Sequence, residues 1–139
     1  MNHDWDAIVI GGGPAGSTVA RYAARAGAKV LVIDRREKIG KPLQCGELVP
    51  TNKELKLLCP NVPEIDDLFQ TPKEAISRLT KTMGIVSPSG NRLEYPFEGQ
   101  ILNRPIHDQK LVNLAKKEGA EYLTKSRVND VIGNEVILK

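Results

Sequence analysis

An α/β fold built around a parallel sheet is what this sequence predicts, and three observations predict it. Two short runs, AIVI at 7–10 and KVLVID at 29–34, are almost continuously apolar. Strands covered by helices on both faces read this way, whereas half-exposed strands alternate. Between the runs lies an alanine-rich, helix-compatible segment from Pro14 to Ala26. The first run ends in GGGPAG, with Gly11, Gly13 and Gly16 in a G-x-G-x-x-G spacing, and the second ends in Asp34. Strand, glycine turn, helix, strand and acid together make a Rossmann-like βαβ unit.

The remaining elements follow in order. Asp6–Ile10 is the first strand, Pro14 suits the first turn of a helix because its missing N–H would be unsatisfied there anyway, and Gly27 is a natural stop. Residues 35–50 are expected to be a loop, broken by Gly40, Pro42, Gly46 and Pro50. TNKELKLL starts a short helix at Thr51 or Asn52, and the proline-bearing stretch 60–73 is expected to be irregular. Residues 82–95 read as a hairpin turning at 88–91, YPFEG at 95–99 as a loop leaving it, and ILN at 101–103 as a separate strand. A helix from Pro105 to Glu118 should bury Ile106, Leu111, Leu114 and Ala115, and Gly119 should end it. AEYL, SRVNDVI and EVILK are strands, the last two joined by a turn at Gly133-Asn134.

Composition narrows the function. The chain has 139 residues, 40% hydrophobic and 27% charged, which suits one soluble domain. A net charge of +3, with the signs interspersed, points away from nucleic acid as a partner. No apolar run approaches the ~20 residues of a membrane span. MNHDWDAIVI lacks the basic start and long apolar core of a signal peptide, so a cytoplasmic location is expected. Cys45 and Cys59 have neither metal-type spacing nor a disulfide framework, and with two histidines and no H-E-x-x-H or C-x-x-C no metal site is expected.

The glycine turn carries the clearest chemistry. Gly11 permits the tight turn, Gly13 lets the backbone approach a pyrophosphate, and Gly16 lets the helix pack close to the strand. Pro14 and Ala15 open a helix whose N-terminal N–H groups and positive dipole end favour phosphate. Asp34 stands where a carboxylate accepts from ribose hydroxyls, and it disfavours a 2′-phosphate despite Arg35 and Arg36, which read either as a solvated loop or as contacts at the adenosine end. The turn reads only the ADP half of a ligand, so FAD and NAD remain open on these residues alone.

Three stretches carry a resemblance: AIVIGGGPAGSTVARYAARAGAKVLVIDRR, GKPLQCGELVP and ILNRPIHDQKLVNLAKKEGAEYLTKSRVNDVI. The chain resembles the N-terminal part of an FAD-binding protein of the glutathione-reductase type, in the p-hydroxybenzoate-hydroxylase-like branch. Within that branch it is most similar to the geranylgeranyl reductase family, which includes archaeal digeranylgeranylglycerophospholipid reductases. The branch pattern R-x-x-x-D-x-x-L-x-x-x-A-x-x-x-G is matched by Arg104, Asp108, Leu111, Ala115 and Gly119. The resemblance implies FAD as cofactor, contact of Arg104 with it, and backbone around Val128 against the adenine. It also implies that the loop with Cys45, Gly46 and Glu47 lies near the flavin, which makes Cys45 and Glu47 the catalytic candidates. Cys59, His3 and His107 have no such context: Cys59 is read as structural, and neither histidine as a base. Asp108 is expected in the first turn of its helix, where a carboxylate is favourable in any case.

The resemblance further implies residues 1–81 as the first part of the FAD domain, 82–103 as the beginning of a substrate-domain sheet, and 104–139 as the FAD domain resumed. The family's later Gly-Asp segment and its aromatic, proline-containing substrate motif are not found, since YPFEG comes too early. The fold is therefore expected to be incomplete, as in a fragment or a partner-completed subunit, and inactive alone. The implied reaction is saturation of an isoprenoid double bond by reduced flavin. It would need a geranylgeranyl lipid substrate, an external electron donor and peripheral contact with a membrane. An FAD-dependent aromatic-type monooxygenase and a non-catalytic nucleotide-binding module are the alternatives.

Overall fold

The computed structural model describes residues 4–43 and 45–139, so the reading of His3 falls outside it. In chain order the elements are β1 (Ala7–Ile10), α1 (Pro14–Arg25), β2 (Val30–Ile33), β3 (Leu48–Pro50), α2 (Asn52–Leu58), α3 (Ile65–Leu68), β4 (Ile76–Val86), β5 (Arg92–Leu102), α4 (Arg104–Lys117), β6 (Glu121–Leu123), β7 (Val128–Ile132) and β8 (Glu135–Leu138). They form two compact units, one of residues 1–43 and 105–139, the other of residues 44–104.

The first unit holds a parallel sheet in the order β1-β2-β6, with Val9 opposite Val32 and Val32 opposite Tyr122. β2 is central, and Val30, Val32 and Ile33 are buried on it, as the unbroken apolar run requires. α1 buries Ser17, Ala20, Arg21 and Ala24, the spacing of one helix face. Ala20, Ala24, Ala115 and Ala120 form one core cluster with Val30 and Val32. Small side chains let the backbone of α1 and α4 lie close to the sheet. Gly27 closes α1 at φ 95° and Gly119 follows α4 at φ 107°. The Arg25–Glu118 pair, 2.8 Å long and partly exposed, links these two helix ends and contributes about 0–1 kcal/mol. β7 and β8 form a separate hairpin that turns at Gly133-Asn134.

The second unit is an antiparallel sheet in the order β3-β5-β4, with α2 against α3, β3 and β5. Thr51 caps α2, its hydroxyl accepting the Glu54 N–H at 3.3 Å. Residues 44–81 belong to this unit together with the long hairpin.

Several local readings need correction here. Residues 48–50 are a strand, not loop: Leu48 pairs with Ile101 and Pro50 with Gly99. Pro50 ends β3, where its missing N–H costs little, so the proline hid a real strand. YPFEG is not a loop either; it lies within β5, and Ile101 and Leu102 of ILN are that strand's end. Pro96 is tolerated because it lies beyond the part of β5 that β3 covers, and because the register slips by one residue beside it, between Thr80–Gly99 and Thr82–Pro96. The hairpin starts at Ile76 rather than 82, and turns through Ser87–Asn91, where Gly90 has φ 86°. The stretch 60–73 carries a short helix, α3, and leads into a single 3₁₀ turn at Lys73–Ala75.

α4 starts at Arg104, one residue earlier than expected, so Asp108 lies past the first turn. Its buried face is His107, Asp108, Leu111, Val112 and Ala115; Ile106 is exposed and Leu114 half-buried. His107 and Asp108, not among the residues expected to be buried, lie on this face with His107 Nδ1 3.3 Å from Asp108 Oδ1.

Leu102, 1% exposed, is among the largest fully buried side chains of the second unit. Leu102→Ala is expected to lower unfolding free energy by about 2–5 kcal/mol in urea titrations. A loss well under 1 kcal/mol would show that this side chain does not anchor the core.

Candidate functional site: the glycine turn and its groove

The turn between β1 and α1 is built as the spacing demands. Gly11 has φ 101°, a conformation that disfavours any side chain. A Cβ on Gly16 would land on the Gly11 carbonyl oxygen and crowd Val9, so only glycine lets α1 come this close to β1. A Cβ on Gly13 would meet nothing within 4 Å, which leaves open space at that point of the turn. Gly13 is also the N-cap of α1, no side chain caps the helix, and Pro14 follows. The first-turn N–H groups are thus available to an anion.

Asp34 is buried at the end of β2, and its two oxygens do different work. Oδ2 accepts the Gly12 N–H at 2.8 Å, and Oδ1 accepts the Arg36 N–H at 2.8 Å. Each oxygen has a second acceptor position, so both bonds can persist beside a ribose hydroxyl. The backbone after β2 is pinned to the segment after β6: Ser126 N–H donates to the Asp34 carbonyl at 3.1 Å and Lys125 N–H to that of Arg36 at 3.1 Å.

These segments enclose an open groove of about 290 Å³. It brings together Gly11, Asp34, Arg35, Arg36 and Val128 of the residues expected from sequence, and adds Ser126 and Arg127. Arg35 is exposed, and Arg36 and Val128 are half-buried. The groove is lined by the apolar Ile10 and Ile33, the buried Asp34 and the basic Arg35, Arg36 and Arg127.

Arg104 is the half-buried first residue of α4 and does not line this groove. Cys45, Gly46 and Glu47 belong to the second unit. Cys45 is an exposed free thiol whose Sγ accepts the Glu47 N–H at 3.4 Å, so it is not a buried filler. Glu47 has φ 65°, and its carbonyl accepts the Leu102 N–H at 2.9 Å. A Cβ at Gly46 would meet nothing. Cys59 is exposed too and serves as the C-cap of α2. Among the described residues no group of His, Cys, Asp or Glu could hold a metal ion.

Sequence reasoning missed three residues behind the turn. Tyr122 Oη donates to Ser17 Oγ at 3.0 Å, and Ser17 Oγ donates to the Gly12 carbonyl at 2.8 Å. A Cβ at Gly12, the unassigned position of the motif, would displace the tip of the Ile39 side chain and lie in ordinary contact with the Tyr122 ring. Ser17 carried a signal: a hydroxyl on the buried face of α1 must find a partner.

Comparison with known proteins gives the chain's relatives. The model described as DAO, FAD dependent oxidoreductase, matches residues 6–42. An uncharacterized protein in the nifH2 5′ region of Methanosarcina barkeri is 36% identical over 132 residues, covering 95% of this chain and 71% of that one. A digeranylgeranylglycerophospholipid reductase of Methanosarcina acetivorans is 38% identical over 145 residues, covering 100% of this chain and 33% of its own. The crystal structure of a geranylgeranyl bacteriochlorophyll reductase-like protein from Thermoplasma acidophilum superposes with a TM-score of 0.75 at 30% identity, over 96% of this chain and 36% of that one. The chain is thus similar over its length to digeranylgeranylglycerophospholipid reductases, and its N-terminal segment matches the FAD dependent oxidoreductases. It spans about a third of the length of the reductases it matches. Halogenase PltM, solved in one variant with FAD, has a TM-score of 0.70 at 23% identity and shares the Rossmann-like FAD-binding fold alone.

Two expectations follow from the turn's geometry. Gly16→Ala should unfold at markedly lower denaturant, whereas Gly13→Ala, with φ −64° and open space, should stay within about 0.5 kcal/mol of the parent. Equal losses would contradict the packing described. Burial raises the Tyr122 pKa above its ordinary 10.0, and the Ser17 hydrogen bond offsets part of that. The neutral phenol therefore contributes stability that is complete below pH 10.0 and is lost as pH rises towards the folded-state pKa. Tyr122→Phe should flatten the alkaline limb of a stability–pH curve; an unchanged limb would overturn the assignment.

Proposed function

We propose that the chain binds FAD through its glycine turn and serves as the dinucleotide-binding part of a reductase that saturates double bonds of geranylgeranyl lipids. The observation that carries this reading is the groove beside Asp34, in which the turn, the acid and the Val128 segment meet. Gly13, Ala15 and Gly16 would hold the pyrophosphate at the start of α1, with Pro14 shaping that first turn. Asp34 would accept from the ribose, and Arg35, Arg36 and the backbone at Val128 would border the adenine. Bound and reduced, FAD would supply the hydride for an isoprenoid double bond; the protein supplies orientation and electrostatics.

The substrate class comes from the names of the relatives, which are lipid reductases. Arg104, Cys45, Gly46 and Glu47 enter as flavin-side residues on the family's motif, with Cys45 and Glu47 in catalytic roles. An external donor must reduce the flavin. Among the described residues no helix is long and apolar enough to cross a membrane. A lipid substrate would call for contact with a membrane surface.

The test is the visible spectrum of the purified chain, followed by chromatography of what heat releases. Released or added FAD held at about one per chain is expected, and Gly13→Ala should weaken it by about tenfold or ~1.4 kcal/mol with folding intact. A chain that takes up no FAD, yet gains thermal stability from NAD, would replace this reading with a nucleotide-binding module.

A further inference from the structure

We infer that Ser17 and Tyr122 are positioning residues for the dinucleotide turn, a role that rests on the FAD reading above. The Gly12–Gly13 peptide is the reason. Both of its flanking residues lack a Cβ, so rotating this peptide plane meets little steric resistance. Something must choose one orientation, and the structure shows what does. The Gly12 carbonyl accepts from the Ser17 hydroxyl at 2.8 Å, and the Ser17 oxygen accepts from Tyr122 at 3.0 Å.

A trans peptide sets its C=O and N–H in opposite directions. Fixing the Gly12 carbonyl on Ser17 therefore aims the Gly13 N–H away from α1. On the other side of the same residue, the Gly12 N–H is fixed by Asp34 at 2.8 Å. The turn is clamped at both ends of one glycine, by the acid of β2 and by a hydroxyl pair joining α1 to β6.

The chain of donors is self-consistent. Ser17 has one O–H and spends it on the Gly12 carbonyl, so its oxygen is free to accept from Tyr122. Ser17 is 1% exposed, which makes the bond costly to lose. The Tyr122 ring packs against the alanine–valine core and under the Lys116 ammonium, 5.5 Å from its centroid. Its hydroxyl is thus presented from a rigid base. Tyr122 acts on the turn through Ser17, which predicts non-additivity.

The test compares Ser17→Ala, Tyr122→Phe and the double variant by FAD affinity and by hydrogen exchange of the Gly12 amide. Tyr122→Phe keeps the ring and its packing, so it reports the hydroxyl even if Ser17→Ala folds poorly. FAD affinity should fall roughly tenfold for Ser17→Ala and less for Tyr122→Phe, with the double variant no worse than Ser17→Ala. The Gly12 amide should exchange faster in each, while the amides of β2 keep their protection. Unchanged affinity with unchanged Gly12 exchange, or additive losses, would overturn the inference. A parent chain that takes up no FAD would sink the cofactor reading instead, and the Gly12 amide would still decide whether the hydroxyl pair holds the turn.

Discussion

The bond from the Gly12 N–H to Asp34 is the constraint on which the site depends. A carboxylate buried at the end of a strand is costly unless its oxygens are engaged, and Asp34 meets that demand with two backbone N–H groups. One bond draws the β1–α1 turn onto β2. The other bends the chain after β2 into the wall of the groove. The acid that a ribose would meet is therefore also the fastener of the turn to β2.

That fastening works only because the neighbouring parts are thin. Gly16 lets α1 reach the Gly11 carbonyl, and Gly12 fits beneath Ile39 and Tyr122. Alanines on α1 and α4 line the same core. Gln109 Nε2 donates to the Ile39 carbonyl at 2.9 Å, so α4 holds the residue that covers Gly12. Helix–sheet distance, turn geometry and groove shape are one packing solution rather than three.

The parallel unit was legible in the sequence because each of its signals is local. Continuous apolar runs, glycine spacing and the helix stop at Gly27 all act within a few residues. The groove was legible for a related reason: Asp34, Arg35 and Arg36 follow β2 directly, and the family motif located Val128. The antiparallel unit was less so. Pro50 and Pro96 signalled breaks, but both sit where a strand can spare an N–H. That tolerance depends on which strand lies alongside, a fact of tertiary pairing. The buried His107 and Asp108 were missed because two adjacent polar groups can satisfy each other, which a pattern of apolar positions does not encode. Tyr122 was hidden most deeply, since its partner is on α1, far away in sequence.

Asp34 and the arginines beside it bear on nucleotide choice in opposite senses, and burial decides between them. A 2′-phosphate on the adenosine ribose would face Asp34, which is 4% exposed and held rigidly by two N–H groups. It would also meet Arg35, which is exposed, and Arg36, which is half-buried. Charges in water are screened over roughly 8 Å at physiological salt, and long side chains lose entropy when they are fixed. A buried carboxylate is screened less and cannot swing away. On the FAD reading, repulsion from Asp34 would outweigh attraction by the arginines, and the groove would favour an ADP moiety with a free ribose, the form found in FAD and NAD and not in NADP. On the FAD reading, the turn and the groove would meet the nucleotide half of the cofactor alone.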